Sequence, residues 1–364
     1  MKARTLALGL ALLLRPLTAG ACGGGVVVPS DLATGAQVQR ILLSVHGTVT
    51  EVVTQIALPE GAGDYGALIP VPVQPTLDPD PVAEEDLAAL DDATRPTVYD
   101  SGDESGGCIC IPTTGGDTGP EVPGIQLSEP VAIGPFSAVV LTAENGTALQ
   151  AWLDEQGFVI PDASLPIVDS YAGSGKYFIA LRSTAGRTPG PSSIGLHFTL
   201  PGDQRALPLR FVSISAAPSV AFTIFVMAPN TIAPSAPFAA LTLGDLPDNL
   251  LRQGQYAAAV ERAVNEHDGR AFVLERGSEV KYLTLPAKLR PWIDPDALVT
   301  RLSTVMKPSA MTVDVTFDTP YDQSIYGQTY VRRETSPGPR PASAGTLLLV
   351  VLAAALRRGA RRGR

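Results

Sequence analysis

The sequence predicts an α+β protein: an antiparallel or mixed β-sheet body with several short helices, plus terminal signal and membrane-tail helices. Three observations predict this class. Short runs of β-branched or alternating apolar residues follow one another at spacings typical of hairpins. The chain contains 35 glycines and 33 prolines, which favours many turns. Only a few stretches carry the 3.6-residue apolar period of an amphipathic helix.

The first 21 residues are typical of a cleavable secretion signal. Lys2 and Arg4 supply its positive start, and residues 6–14 form the apolar run. This run of about 9 residues is far shorter than the roughly 20 that span a bilayer. Ala21 ends a small-x-small motif suited to signal peptidase, so cleavage between Ala21 and Cys22 is predicted.

The three cysteines of the chain, Cys22, Cys108 and Cys110, are the disulfide candidates. A disulfide from Cys22 to one of the other two is the favoured interpretation in an oxidising envelope. It would close a loop of about 86 residues and contribute about 4 kcal/mol in the chain-entropy model. Lipidation of Cys22 stays open as an alternative, although Ala19 stands where lipoprotein signals usually have leucine. In that case Cys108 and Cys110 could pair only with each other, in a small strained ring.

A β-rich main domain is predicted over residues 22–245, with helices near 146–173. Residues 37–45 and 48–58 should form a hairpin around His46-Gly47. The other predicted strands, in chain order, are 65–71, one or two strands over 131–143, 176–182, 194–200, 207–215 and 220–227. The predicted helices are 84–90, 146–155 and 164–172. A polar loop is predicted over 100–124.

Residues 246–320 are predicted to be a smaller α+β portion of the same domain. Helices are expected over 255–265 and 295–305, and strands over 272–274 and 311–317. The helix over 295–305 is predicted because Leu298, Leu302 and Val305 would share one of its faces.

The C-terminus is predicted to be a membrane tail. A Pro-rich spacer over 321–343 leads to an apolar helix and an arginine cluster over 344–364. A helix over the apolar residues 344–356 would be about 20 Å long, against a hydrocarbon core of about 30 Å. It is therefore a short span, whose arginines would stay at the cytoplasmic side. The membrane is thus a predicted partner.

The charge of the chain makes nucleic acid an improbable partner. The formal net charge is −9, and three positive residues lie in the signal and five arginines follow residue 356. Removing these eight positive charges leaves −17 for residues 22–356. So acidic a body repels a phosphate backbone.

No catalytic, cofactor or metal residues are predicted. Gly173-Ser174-Gly175-Lys176 resembles the end of a phosphate-binding loop, but Ser170 and Tyr177 break that motif, and a turn before a strand is favoured. The histidines His46, His197 and His267 lie far apart in the sequence, which excludes a helical two-histidine zinc motif. Acidic residues around 78–86 and 100–104 lack the spacing of a calcium loop.

The order of several short motifs resembles that of the bacterial domain of unknown function 2330 family. The motifs are Ala21-Cys22-Gly23-Gly24, Ile69-Pro70-Val71-Pro72, Cys108-Ile109-Cys110, Gly134-Pro135-Phe136 followed by residues 139–141, residues 149–153 and 157–161, Tyr171, residues 177–181, residues 207–210, Arg301-Leu302, and residues 311–317. The resemblance covers roughly residues 22–318. It implies an exported, often membrane-associated protein and brings no established activity. The tail resembles the C-terminal sorting segments of some bacterial surface proteins.

Two functional hypotheses follow. The first is a non-catalytic binding or surface module of the cell envelope that is membrane-anchored and binds an unidentified envelope partner. The second is an envelope hydrolase or a thiol-dependent enzyme, whose site would assemble from scattered residues such as Cys108 or Cys110 and a histidine. A nucleophile within hydrogen-bond reach of a histidine would favour the second hypothesis.

Overall fold

Two β-sheets, named sheet I and sheet II below, organise the protein. The computed structural model describes residues 25–27, 38–57, 66–99, 125–158, 160–183, 193–214, 218–320 and 329–331. The chain divides into two compact units, Met1–Tyr330 and Val331–Arg364, and the elements below belong to the first except for Val331.

The described residues form 19 strands and six α-helices. The strands are β1 Gly25–Val27, β2 Val38–His46, β3 Val49–Ala57, β4 Gly66–Val71, β5 Thr76–Leu77, β6 Thr97–Tyr99, β7 Ile125–Leu127, β8 Val131–Ile133, β9 Phe136–Ala143, β10 Tyr177–Ser183, β11 Ser193–Pro201, β12 Ala206–Leu207, β13 Val220–Ala228, β14 Ala233–Pro234, β15 Ala239–Thr242, β16 Ala271–Glu279, β17 Leu298–Met306, β18 Val315–Asp318 and β19 Thr329–Val331. The helices are α1 Glu84–Thr94, α2 Gly146–Glu155, α3 Leu165–Ala172, α4 Leu209–Val212, α5 Asp248–Leu251 and α6 Tyr256–Asn265.

Sheet I has eight strands in the order β15-β16-β17-β13-β2-β3-β11-β5. The pairs β2–β13 and β15–β16 are parallel and the others are antiparallel, so the sheet is mixed, as the sequence predicts. The central strand β13 is apolar along almost its whole length, which is typical of a strand covered on both faces. Its residues Phe222 and Ile224 point to one core, and Phe225 and Met227 to another.

Sheet II has the order β1-β4-β10-β9-β7, and β8 also pairs with β9. One of its faces shares a hydrophobic core with sheet I, to which Ile69 and Ile179 contribute from sheet II and Leu43 and Phe198 from sheet I. The helix α6 packs its buried face into the same core.

The other face of sheet II is covered by α2 and α3. The outer face of sheet I is covered by α1 and by residues 280–297. Both sheets are thus enclosed between layers, and the α+β class is confirmed.

The hairpin predicted at the start of the body is confirmed. Strands β2 and β3 pair in register from Ile41 opposite Thr54 to His46 opposite Val49. Gly47 begins the two-residue turn with φ of +59°, a left-handed conformation that glycine adopts without steric cost. The predicted strands over 65–71, 131–143, 176–182, 194–200 and 220–227, and the helices over 146–155, 164–172 and 255–265, also agree with the observed elements to within two residues.

The prediction of a helix over 295–305 is wrong, because β17 occupies this stretch. Leu298 and Leu302 lie four residues apart, a spacing that places two side chains on one face of a strand as well as of a helix. Val305 falls on the opposite face of the strand. Four residues of the strand are β-branched and favour extended backbone: Val299, Thr300, Thr304 and Val305.

The prediction of a strand over 207–215 is also wrong. Only β12 is extended, and the chain turns at Pro208 into the short helix α4. Proline has no N–H to donate to a sheet, which stops the strand at this point. The turn is then held by the backbone N–H of Arg210, which donates to Asp314 Oδ1 at 3.0 Å.

Two elements are longer than predicted. Helix α1 continues to Thr94, whose hydroxyl donates to the carbonyl of Leu90 at 2.7 Å. Strand β16 runs from Ala271 to Glu279, with a bulge between Leu274 and Arg276 that the short predicted strand over 272–274 does not anticipate.

The predictions for the chain ends and for the cysteines lie outside the described residues. These are the signal over 1–21 with its cleavage site at Ala21 and Cys22, the loop over 100–124 with Cys108 and Cys110, and the tail over 344–364. Within the ranges that the structure covers, no helix has both the length and the apolar character needed to cross a membrane.

Candidate functional site

A cleft opens between sheets I and II, at the end of their shared core. Its volume is about 90 Å³. One wall is formed by side chains of β2, β3 and β11 and the other by β4, so both sheets line it. The residues of the first wall are Ile41, Leu43, Val52, Thr54, Phe198 and Leu200. The cleft walls are therefore mainly apolar.

Polar side chains concentrate at the mouth of the cleft, around Tyr171 at the end of α3. The Tyr171 hydroxyl hydrogen-bonds to a carboxylate oxygen of Asp314, which precedes β18. The Lys176 ammonium lies 5.8 Å from the centre of the Tyr171 ring, and the Arg210 guanidinium lies 5.9 Å from it. Gln204 adds an amide to the lining. Two cations and one carboxylate thus surround a single phenol ring.

The ring of Tyr171 is fixed in place by close packing against Phe211. Its ring packs edge-on against Phe211 of α4, with 5.3 Å between the ring centres, and it is among the largest fully buried side chains. Burial raises the pKa of the Tyr171 phenol, and the adjacent Asp314 carboxylate raises it further. The phenol therefore stays protonated at neutral pH and acts as a hydrogen-bond donor.

A buried amide with an unpaired atom lies behind the wall of the cleft, bonded to the lining residue Thr54. Gln39 is only 2% exposed, and its Nε2 donates to Oγ1 of Thr54, which lines the cleft, at 3.2 Å. Its Oε1 has no hydrogen-bond partner among the protein atoms of the described residues. Gln39, Ile41 and Leu43 share one face of β2, because side chains alternate along a strand. A polar atom without a partner therefore lies next to the apolar wall.

The outer face of sheet I carries a separate, buried charge network. Arg301 of β17 contacts Glu275 of β16 through Nε, and its Nη1 lies 2.5 Å from Asp91 Oδ1 of α1. Arg40 binds the other oxygen of Asp91 at 3.1 Å. Tyr256 also hydrogen-bonds to Glu275. The network ties α1 and α6 to the strands of sheet I.

Electrostatic interactions in this network favour the charged forms of Asp91 and Arg301. Burial alone would raise the pKa of Asp91, but Arg301 and Arg40 outweigh it and hold this pKa below its usual range. Burial likewise opposes the charge on Arg301, and Glu275 and Asp91 together raise its pKa. Arg301 Nη1 also donates to the carbonyl of Asp91 at 3.1 Å. The helix α1 has no basic residue in its last turn, so this arginine supplies the positive charge that its C-terminus favours.

Comparison with known proteins identifies the family of the chain. A family model described as an uncharacterized protein conserved in bacteria, DUF2330, matches residues 16–318. The chain belongs to the DUF2330 family. The matched range contains every residue that lines the cleft, as well as the charge network on sheet I.

The other comparisons give little information about this DUF2330 chain. No curated protein matches it. Among solved structures, the crystal structure of baculovirus P35 aligns at 12% identity with a TM-score of 0.27, covering 53% of this chain and 64% of that one. The chain thus spans less than two thirds of the P35 chain, and so low a TM-score supports no inference about fold or function.

The structure of the DUF2330 chain brings together histidines that are distant in sequence. His197 of β11 lies between two carboxylates, with Nδ1 2.9 Å from Asp78 and Nε2 3.0 Å from Glu51. His46 reaches the other oxygen of Glu51 at 3.8 Å. The His197 ring stacks on Trp292 with 3.6 Å between the ring centres. Only His267 stays separate, at the end of α6.

This histidine cluster does not contain a nucleophile–base pair among the described residues. Both ring nitrogens of His197 are engaged by carboxylates, and the nearby Thr199 hydroxyl donates to Glu51 at 2.7 Å rather than to the ring. Each ring nitrogen of His197 therefore has a carboxylate partner of its own, and neither nitrogen faces a hydroxyl or thiol. The cluster therefore fits a structural clamp, which holds residues 280–297 against sheet I.

One residue at the mouth of the cleft, Lys176, already stands out in the sequence of this DUF2330 chain, as part of a turn that resembles a phosphate-binding loop. The turn Gly173-Ser174-Gly175-Lys176 is a turn before β10, as predicted, and it also places Lys176 at the mouth of the cleft. Tyr171, Asp314 and Gln39 are not among the site residues that the sequence predicts. Tyr171 and Asp314 lie 143 residues apart, and no local motif links them. The described Asp, Glu, His and Cys residues form no cluster suited to a metal ion.

Proposed function

We propose that this DUF2330 protein is exported, anchored in the membrane of the cell envelope, and works as a non-catalytic binding module. Its ligand would be a small, mainly apolar molecule taken up in the cleft between sheets I and II. The observation that carries this proposal is the cleft itself, with two apolar walls and a polar mouth. Ligand sites typically combine an apolar cavity with a few polar groups that orient the ligand.

The size of the cleft supports the interpretation that it is a ligand site, and not a small void left by imperfect packing. Protein interiors are packed as densely as organic crystals, and they contain few voids larger than a water molecule. A volume of about 90 Å³ that is open at one end exceeds such a void. For scale, an engineered apolar cavity of about 150 Å³ takes up benzene or xenon.

The chemistry of the mouth supports binding over catalysis. Tyr171 is neutral at physiological pH because burial and Asp314 raise the pKa of its phenol. Asp314 is engaged by the Tyr171 hydroxyl and by the backbone N–H of Arg210. These groups can orient a ligand through hydrogen bonds and charge, but none is a nucleophile activated by a neighbouring base.

Export and anchoring rest on the two ends of the sequence and are tested by the intact mass of protein purified from membranes. We expect a mass that begins at Cys22, carries no acyl chains, includes the arginine-rich tail, and gains one alkyl group on thiol alkylation. A soluble protein that retains residues 1–21 would contradict export. Acyl chains on Cys22 would mean that a lipid, and not the tail, anchors the protein in the membrane.

Binding in the cleft is tested with benzene as an apolar probe of the full chain. We expect benzene to shift the methyl NMR signals of Ile41, Leu43 and Leu200, because these side chains line the cleft. Ala206→Trp should abolish these shifts, since Ala206 is exposed at the mouth and an indole there would fill the opening.

The matched control is Ala240→Trp. Ala240 is also an exposed alanine of a strand, but it lies on β15 at the far edge of sheet I and does not line the cleft. The control should bind benzene like the wild type. Unchanged methyl signals in the wild type, or equal shifts in the Ala206→Trp variant, would overturn the binding proposal. Turnover of any substrate that a single point mutation abolishes would overturn its non-catalytic part.

A further inference from the structure

We infer that the ligand of the cleft is a monocarboxylic acid with a short apolar chain. The chain would lie between sheets I and II, and the carboxylate would meet the ammonium of Lys176 at the mouth. This inference rests on the proposed function, because it names the chemical class of the molecule that the cleft binds.

The first argument is the state of Lys176. Its side chain is partly buried at the edge of an apolar cleft, and its ammonium faces the ring of Tyr171 at 5.8 Å. In the part of the chain that the structure describes, no carboxylate lies within salt-bridge distance of this ammonium. The partly buried cations Arg40 and Arg205 each have a carboxylate partner, whereas Arg210, on the same Tyr171 ring as Lys176, has none among the described residues. A ligand carboxylate would give Lys176 the anionic partner that it lacks.

The second argument is the balance of charge around the mouth. Asp314 is the carboxylate nearest to Tyr171, and two donors already engage it, the Tyr171 hydroxyl and the backbone N–H of Arg210. The guanidinium of Arg210 and the ammonium of Lys176 both face the same ring. Lys176 and Asp314 line the cleft, and Arg210 lies against the same ring without lining it, so these three groups around Tyr171 sum to one positive charge, although residues 22–356 carry a net charge of −17. This local excess attracts an anion and disfavours a cationic ligand.

The third argument is the size and polarity of the walls. A cavity of about 150 Å³ takes up the six carbon atoms of benzene, so about 90 Å³ corresponds to about four carbon atoms. The open mouth adds room for one or two more carbons before the carboxylate reaches Lys176. Burial of each methylene contributes about 0.8 kcal/mol, which is about a fourfold gain in affinity. A ligand of about four to six carbons thus fits the walls.

The experiment titrates the full chain with hexanoate, 1-hexanol and hexylammonium, and follows the methyl signals of the cleft by NMR. We expect hexanoate to bind most tightly of the three. Lys176→Met should weaken hexanoate about tenfold and leave 1-hexanol unchanged, because only the carboxylate meets the lysine. Lys176→Arg should retain most of the affinity. In the series butanoate, pentanoate and hexanoate, affinity should rise about fourfold for each methylene.

Lys307→Met is the matched control, since Lys307 is exposed and does not line the cleft. It should bind hexanoate like the wild type. Equal affinities for hexanoate and 1-hexanol, with no effect of Lys176→Met, would overturn the carboxylate inference and leave apolar binding in the cleft intact. Tighter binding of hexylammonium would overturn it as well and assign the recognition to Asp314. A cleft that binds none of these probes, and does not bind benzene either, would overturn the proposed function itself.

Discussion

Arg301→Met is expected to lower the free energy of unfolding by about 3–5 kcal/mol. The side chain of Arg301 is 7% exposed and that of Glu275 is fully buried. Removing the guanidinium leaves the Glu275 carboxylate in the protein interior, where its remaining partners among the described residues are the hydroxyls of Tyr256 and Ser303. It also removes the hydrogen bond from Arg301 to the hydroxyl of Thr94 at 3.1 Å, at the end of α1. Urea unfolding followed by circular dichroism measures the change.

Two further variants distinguish the stability contributed by the buried pair of Arg301 and Glu275 from the effect of removing any surface charge. Arg262→Ala breaks the pair with Glu266, in which both side chains are 57% exposed, and should change stability by no more than about 0.5 kcal/mol. The double variant Arg301→Met/Glu275→Leu should recover part of the loss, because no buried charge is then left unpaired. A single variant Arg301→Met as stable as the wild type would show that the network contributes nothing to folding.

The same network accounts for a feature of β17 that the predicted helix over 295–305 does not anticipate. That prediction depends on Leu298, Leu302 and Val305 sharing one helix face, and it assigns no buried position to Arg301. In the structure, Arg301 instead lies on a covered face of sheet I, where Glu275 and Asp91 neutralise its charge. Those partners lie 26 and 210 residues away in the sequence. Local periodicity cannot anticipate a partner at such a distance.

Elements fixed by local signals were predicted well. The hairpin of β2 and β3 depends on alternation and on Gly47, and α2 begins at Asn145, whose side chain accepts from the N–H of Ala148 at 2.9 Å. The short helix α4 is the opposite case. Its first turn is held by Asp314, which is 104 residues away from Arg210. The sequence shows only the proline that precedes it.

The candidate site was beyond sequence reasoning for the same physical reason. The cleft is lined by strands of two different sheets, and its mouth joins the end of α3, the turn before β10 and the residue that precedes β18. A lysine in a glycine-rich turn is an ordinary surface residue when seen in sequence. In the structure, the turn after α3 places this lysine beside Tyr171, which is buried against Phe211, and beside an apolar wall.

Phe272→Ala is expected to lower the free energy of unfolding by about 3–5 kcal/mol, because it would leave a cavity in the shared core. Phe272 is fully buried in β16, and its ring centre lies 5.6 Å from that of Phe238 and 5.7 Å from that of Phe317. Phe272→Leu fills most of the same space and should cost less than about 1.5 kcal/mol. The measurement is again urea unfolding, with both variants compared with the wild type.

The Phe272→Ala variant also tests whether the layers of the protein unfold together. Trp152 belongs to the core between sheet II and its helices, and Trp292 to the layer on the outer face of sheet I. No side chain of β16 belongs to the hydrophobic cluster of either tryptophan, but β16 pairs with β17 in sheet I, which shares a core with sheet II. We therefore expect the unfolding midpoints reported by Trp152 in a Trp292→Phe background and by Trp292 in a Trp152→Phe background to fall by the same amount. A shift confined to Trp292 would mean that sheet II and its helices fold without the strands that follow residue 245.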